Sequence, residues 1–168
     1  MKTLTIALGS LLLAGAHASA QTTGTLTHDR VAMPVKAAVA VLDAKATGLR
    51  IYVLPFVPSA AETALLQKES TLFLMQKKSA YGSFWLKWFD VADAGKMEKV
   101  SVSLTGHDVS KPNASLSRMF MSGFKGTLNG ELKPGATIGF TAAGSSDEAR
   151  DTAAWDVKVT TKVLPATN

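Results

Sequence analysis

The chain has 168 residues, no cysteine, and a formal charge of +5 from 18 basic and 13 acidic side chains. Without cysteine a disulfide-stapled fold is excluded, so stability has to come from apolar burial. The basic residues are scattered, with Lys77 and Lys78 the only adjacent pair, whereas proteins that bind nucleic acid concentrate positive charge in a patch. We therefore expect no nucleic-acid partner.

The first twenty residues, MKTLTIALGSLLLAGAHASA, have the pattern of an export signal. Lys2 supplies the positive start, residues 4–13 are apolar, and Ala18-Ser19-Ala20 is an A-x-A cleavage site. The apolar run is shorter than the roughly 20 residues that span a bilayer. The pattern predicts a cleaved signal peptide (1–20) and a single domain (21–168). We expect a bacterial periplasmic or secreted protein that does not span a membrane after cleavage.

Three short strands are predicted before any helix. They are rich in β-branched and aromatic residues and are separated by turn sequences; they cover residues 23–28, 35–43 and 49–56. Pro55 indicates where the third strand ends.

One helix is predicted after these strands, in the sequence PSAAETALLQKES. Ser59 and Glu62 have the spacing of a capping box, in which each side chain bonds the other residue's backbone. The helix is expected over about residues 60–69. Ala61, Leu65 and Lys68 are expected to share its packed face.

Strands fill the rest of the chain. The predicted strands are residues 71–76, 83–91, 97–106, 115–124, 136–142 and 153–164. The dipeptide Asn129-Gly130 predicts a tight hairpin between short strands near 125–128 and 131–133. The polar residues 143–152 are interpreted as a loop.

The strands differ in pattern, and this difference predicts the fold. Residues 97–106 and 153–164 alternate apolar with polar side chains, whereas 35–42, 49–56, 71–76 and 83–91 are apolar on both faces. Strands of the second kind need cover on both sides. We expect a mainly β fold: an antiparallel β-sandwich or flattened barrel of about nine or ten strands, with the helix (60–69) packed on it.

No pattern in the sequence assembles a catalytic or metal site. His28 and His107 each precede an aspartate, which is interpreted as turn chemistry, and Asp90 and Asp93 are interpreted in the same way. No G-x-S-x-G elbow is present. We expect no catalytic residues, metal or cofactor; a hydrolase using His28 or His107 is an alternative.

The aromatic stretch YGSFWLKWFDV (81–91) carries the candidate binding residues. At period two, one face holds Phe84, Leu86 and Trp88, and we expect it to be core. The other face holds Trp85, Lys87 and Phe89. Either this face packs, with Lys87 snorkelling from beneath the helix or at a sheet end, or it is an exposed or cavity-lining patch that binds a ligand or partner.

The sequence therefore favours an exported, non-enzymatic binding domain for an apolar or lipid-like ligand. Trp85, Lys87 and Phe89 are its predicted binding residues, and the lysine suits a ligand that carries an anion. The expected partner is an apolar small molecule or another envelope or secreted protein. A protein-interaction module, such as an inhibitor or immunity-type partner of another exported protein, is an alternative.

Overall fold

The computed structural model describes residues 21–43, 47–68, 85–92, 94, 98–108, 117–148 and 151–167. The strands are β1 (Gln21–His28), β2 (Val31–Met33), β3 (Ala37–Leu42), β4 (Leu49–Leu54), β5 (Trp85–Ala92), β6 (Glu98–Asp108), β7 (Ser117–Gly130), β8 (Thr137–Glu148) and β9 (Asp151–Leu164). The helix α1 is Ala60–Lys68. The predicted signal peptide (1–20) and the predicted strand 71–76 lie outside the described residues.

Nine strands form one sheet that closes into a seven-stranded barrel. The strand order is β2-β1-β9-β3-β4-β5-β6-β7-β8, and an additional β8–β9 pairing closes the barrel. The pairings are antiparallel except that between β3 and β9, which is parallel. The mainly β fold with one helix is confirmed, and of the two expected architectures the barrel is the one observed.

The early strands are buried on both faces, as their sequences predict. All six residues of β3 are buried. Ala38 and Ala40 face the barrel interior, whereas Val39 belongs to a second apolar cluster outside the barrel. Leu66 of α1 is part of that outer cluster. The helix therefore supplies the second cover that these strands need.

The helix begins with the expected capping box but packs through a different face. Glu62 Oε2 accepts from the Ser59 amide at 2.7 Å, and the Glu62 amide donates to Ser59 Oγ at 3.3 Å. The buried residue is Leu66, while Ala61 and Lys68 are exposed. Leu65 of the expected face is partly buried against the outer cluster, but the expectation was wrong for Ala61 and Lys68. Packing through Leu66 buries more apolar surface than packing through an alanine would.

The hairpin predicted at Asn129-Gly130 was also wrong. These residues pair with Gly139 and Ile138 inside the β7–β8 ladder, so the turn falls later, between Gly130 and Thr137. Gly130 has φ +110, and a Cβ there would clash with the Thr137 carbonyl. The glycine serves a close strand approach, while the turn itself uses Gly135 at φ +84.

The polar segment 143–152 is not a loop over most of its length. Strand β8 continues to Glu148, which pairs with Asp151 at the start of β9. Ala143, Gly144 and Ser145 are exposed. The hairpin extends beyond the apolar core, so its side chains carry no burial pattern from which a strand could be recognised. In the described part of the chain, no helix is long and apolar enough to cross a membrane.

Candidate functional site

Strand β5 divides the predicted aromatic stretch between two environments. It lies between β4 and β6, where Val53 pairs with Lys87, and Lys87 pairs with Gly106. Leu86 and Trp88 are buried in the outer cluster beside α1, as expected for the core face. The opposite face of β5 lies inside the barrel, and it carries two of the three predicted binding residues.

Lys87 is wholly buried, with 0 % of its surface exposed. Its Nζ donates to the Thr27 carbonyl at 3.2 Å, so the side chain crosses from β5 to β1. The helix covers the opposite face of β5, so Lys87 does not snorkel from beneath it. The residues level with Lys87 on neighbouring strands are small or medium: Ala38, Val53 and Gly106.

The barrel interior is unfavourable for the Lys87 charge. Burial lowers the pKa of the ammonium from 10.5 to about 8, against the opposing effect of the Asp29 charge. Desolvation disfavours the charged form of any amine. Around neutral pH the Lys87 side chain is therefore still mostly a cation. Its desolvation in the barrel costs free energy.

His28 and Asp29 lie at the same end of the barrel. His28 is buried on the inner face of β1, two residues after the core residue Leu26. Its Nε2 is 3.4 Å from Asp29 Oδ2, and the Asp29 side chain is 60 % exposed. Asp29 and Arg30 both have positive φ and form the turn into β2. The turn interpretation of His28-Asp29 is confirmed, and Lys87 Nζ contacts β1 at Thr27, directly before these residues.

Phe89 packs in the aromatic core of the barrel. Its ring centroid lies 5.4 Å from that of Phe140 and 6.3 Å from that of Phe124. Phe89 is fully buried, as is Lys87, so these two residues do not form an exposed patch. Trp85 begins β5 and pairs with Asp108, but its side chain lies outside the described residues.

A second polar cluster, which the sequence reading missed, lies on the outer face of β4 and β5. Arg50 Nε donates to Asp90 Oδ1 at 2.7 Å, and Trp88 Nε1 donates to Asp90 Oδ2 at 2.9 Å. The Arg50 guanidinium also lies 5.3 Å from the Trp88 ring centroid. Asp90 was wrongly interpreted as a turn residue. The signal that could have found it is a cross-strand pair of opposite charges, which is visible only once the register is known.

The two histidines are placed on different strands. The His107 backbone pairs with Leu86 and Ser117 in β6, and its side chain lies outside the described residues. Within the described part of the chain, no group of three or more histidine, aspartate or glutamate side chains is arranged to hold a metal ion.

A scan of protein-family models and searches of curated proteins and solved structures found no match to this chain.

Proposed function

We propose that this protein is an exported binding domain whose ligand is a small apolar molecule with one anionic group. The binding site is the Lys87 end of the barrel, beneath the turn between β1 and β2. One observation carries the proposal: a lysine is wholly buried in a barrel interior that is mainly apolar, with His28 buried at the same end.

A buried ammonium is a poor way to stabilise a fold. Its desolvation costs free energy, and an apolar side chain of similar size often serves a core equally well or better. A carboxylate or similar anion entering beside Lys87 would offset this cost, because opposite charges attract more strongly in a buried site than in water. The surrounding apolar residues suit the rest of such a ligand.

The position of the lysine supports access from the β1–β2 turn. Asp29, whose charge acts on Lys87, is itself largely exposed. The side chains level with Lys87 include Gly106 and Ala38, which leave more room than larger residues would. A ligand anion would take the Thr27 carbonyl's place at Nζ.

Calorimetric titration with dodecanoate and with dodecanol tests this proposal. The two probes share an apolar chain and differ in the anion. We expect saturable binding of dodecanoate and at least about tenfold weaker binding of dodecanol, since a charge-assisted contact is worth about 1.5–3 kcal/mol. The variant Lys87→Met should lose the preference.

Lys158→Met is the matched control, because Lys158 is an exposed lysine on β9. It should bind dodecanoate like the unchanged protein. If the unchanged protein binds neither probe, or if Lys87→Met still prefers dodecanoate, the proposal is overturned.

Export is tested separately from binding. Cleavage after Ala20 would leave β1 intact, because that strand begins at Gln21. Expression of the full chain in a bacterial host, followed by intact-mass measurement of the periplasmic fraction, should give a protein that begins at Gln21. A full-length chain confined to the cytoplasm would contradict export and leave the binding result untouched.

No observation comparable to the buried Lys87 supports the protein-interaction alternative. Among the described residues the exposed large apolar side chains are Val31 and Val57, and single exposed apolar residues are normal on monomeric proteins. The hydrolase alternative would need a substrate position beside His28 or His107. We therefore keep the binding domain as the proposal.

A further inference from the structure

A shallow groove lies on the outside of the barrel, away from Lys87. It has a volume of about 570 Å³, within the usual range for small-ligand sites. Its side chains come from three adjacent strands: Lys125 and Thr127 on β7, Thr141 and Ala143 on β8, and Asp156 on β9. These strands pair continuously with one another, so the groove has a rigid floor.

Two opposite charges stand on either side of this groove. Ala143 pairs with Asp156 across β8 and β9. Lys125 precedes Gly126, which pairs with Ala142, so Lys125, Ala143 and Asp156 form one cross-strand row. Two strand spacings separate the charged residues by about 10 Å. The alanine between them leaves the space open.

Neither charge has an ion-pair partner among the residues that the structure describes. In the described part of the chain, Arg50 pairs with Asp90 and Lys133 with Glu131, but Lys125 and Asp156 form no ion pair. The next cation on this face of β9 is Lys158, which pairs with Thr141 beside the groove and forms no ion pair with Asp156.

Hydroxyl groups line the groove beside the charged row. Thr127 and Thr141 pair across β7 and β8, and their hydroxyls are hydrogen-bonded to each other. One O–H donates within this pair, so one further donor and spare acceptor lone pairs face the groove. These groups match the N–H and C=O of a peptide bond.

We propose that this groove binds the zwitterionic form of a dipeptide. The peptide's ammonium contacts Asp156, its carboxylate contacts Lys125, and its single amide lies over the two threonines. An extended dipeptide spans at most about 7 Å, and the flexible lysine stem accommodates the remaining distance. The contacts are solvent-exposed, so the affinity is in the millimolar range. This site is independent of the Lys87 site.

Titration of the ¹⁵N-labelled protein with alanyl-alanine, followed by amide chemical shifts, tests the proposal. The matched probe is the same dipeptide with acetylated and amidated ends, which has no charge. We expect saturable shifts at Thr127, Thr141 and Asp156 with alanyl-alanine. The blocked dipeptide should bind about tenfold more weakly or not at all.

Variants distinguish the two charges from a general surface effect. Lys125→Gln and Asp156→Asn should each weaken binding about three- to fivefold, as expected for an exposed pair worth up to about 1 kcal/mol. Lys36→Gln, at an exposed lysine between β2 and β3, is the control and should change the affinity less than twofold. The exchange Lys125→Asp with Asp156→Lys should restore binding that Lys125→Asp alone removes.

Three results would overturn the dipeptide site. They are the absence of saturable shifts, equal binding of the blocked dipeptide, and equal loss from Lys36→Gln. None of them bears on dodecanoate binding at Lys87, since the two sites lie on opposite sides of the barrel wall.

Discussion

Two cations on adjacent strands meet opposite electrostatic conditions. Arg50 lies on the outer face of β4, half-exposed, with Asp90 at 2.7 Å. Burial alone would lower the pKa of Arg50, but the hydrogen bond and charge of Asp90 outweigh it and raise that pKa. Lys87 lies on the inner face of β5, where burial outweighs the Asp29 charge and lowers its pKa to about 8.

Under the proposed function, this difference distinguishes a cation that serves the fold from one that serves a ligand. Arg50 contributes to the fold through Asp90 and Trp88, and nothing about it requires a ligand. Lys87 holds its charge in a buried position, where desolvation lowers its pKa. Groups whose pKa is displaced by burial are concentrated at functional sites, and stability is often lower where function requires an unfavourable group.

The largest expected effect concerns the inner face beside Lys87. Phe89→Ala should lower the free energy of unfolding by about 3–5 kcal/mol, because it empties a fully buried aromatic position. Urea unfolding measures this change. Val57→Ala, at an exposed position, should stay within about 0.5 kcal/mol. A cost below about 1 kcal/mol for Phe89→Ala would mean that this face is not packed core.

The pH dependence of stability should reveal Lys87 directly. Its pKa is lower in the folded protein (about 8) than its ordinary value of 10.5, so between these values the unfolded chain binds more protons. Stability should therefore rise with pH across this window, by about 3 kcal/mol in total.

Other groups also titrate in this range, so Lys87→Met serves as the reference. The stability of the unchanged protein relative to this variant should improve from pH 8 to 10.5 and be constant below pH 7. A difference that is constant throughout the window would contradict a costly buried charge.

The Arg50–Asp90 pair on the outer face of β4 and β5 should behave as an ordinary ion pair. Asp90→Leu should lower stability by about 1–2 kcal/mol, because Arg50 and the Trp88 indole both lose their acceptor. The double variant Arg50→Met with Asp90→Leu should recover part of this loss. Additive losses, measured by urea unfolding, would show that the two side chains are not coupled.

Local patterns predicted much of this structure. The capping box at Ser59 and Glu62 is formed, and the strands that are apolar on both faces are those covered by the helix outside and the barrel inside. These features depend on residues that are close together in the sequence, so their spacing alone is enough to predict them.

Features that depend on strand register could not be predicted in this way. The period-two alternation placed Lys87 and Phe89 on one face, but only the closure of the barrel shows that this face is interior. The Arg50–Asp90 pair joins residues 40 positions apart. The hairpin prediction at Asn129-Gly130 was wrong because a glycine is favoured both in a turn and where two strands approach closely.

The stability of Lys87→Met at pH 7 tests the central claim most directly. If Lys87 is a ligand site, the variant should be about 1–2 kcal/mol more stable than the unchanged protein, because the desolvation cost exceeds the lost bond to Thr27. Dodecanoate should then raise the urea midpoint of the unchanged protein and leave that of the variant unchanged. A variant that is less stable by 1 kcal/mol or more, with both proteins indifferent to dodecanoate, would show instead that Lys87 only fastens β5 to β1.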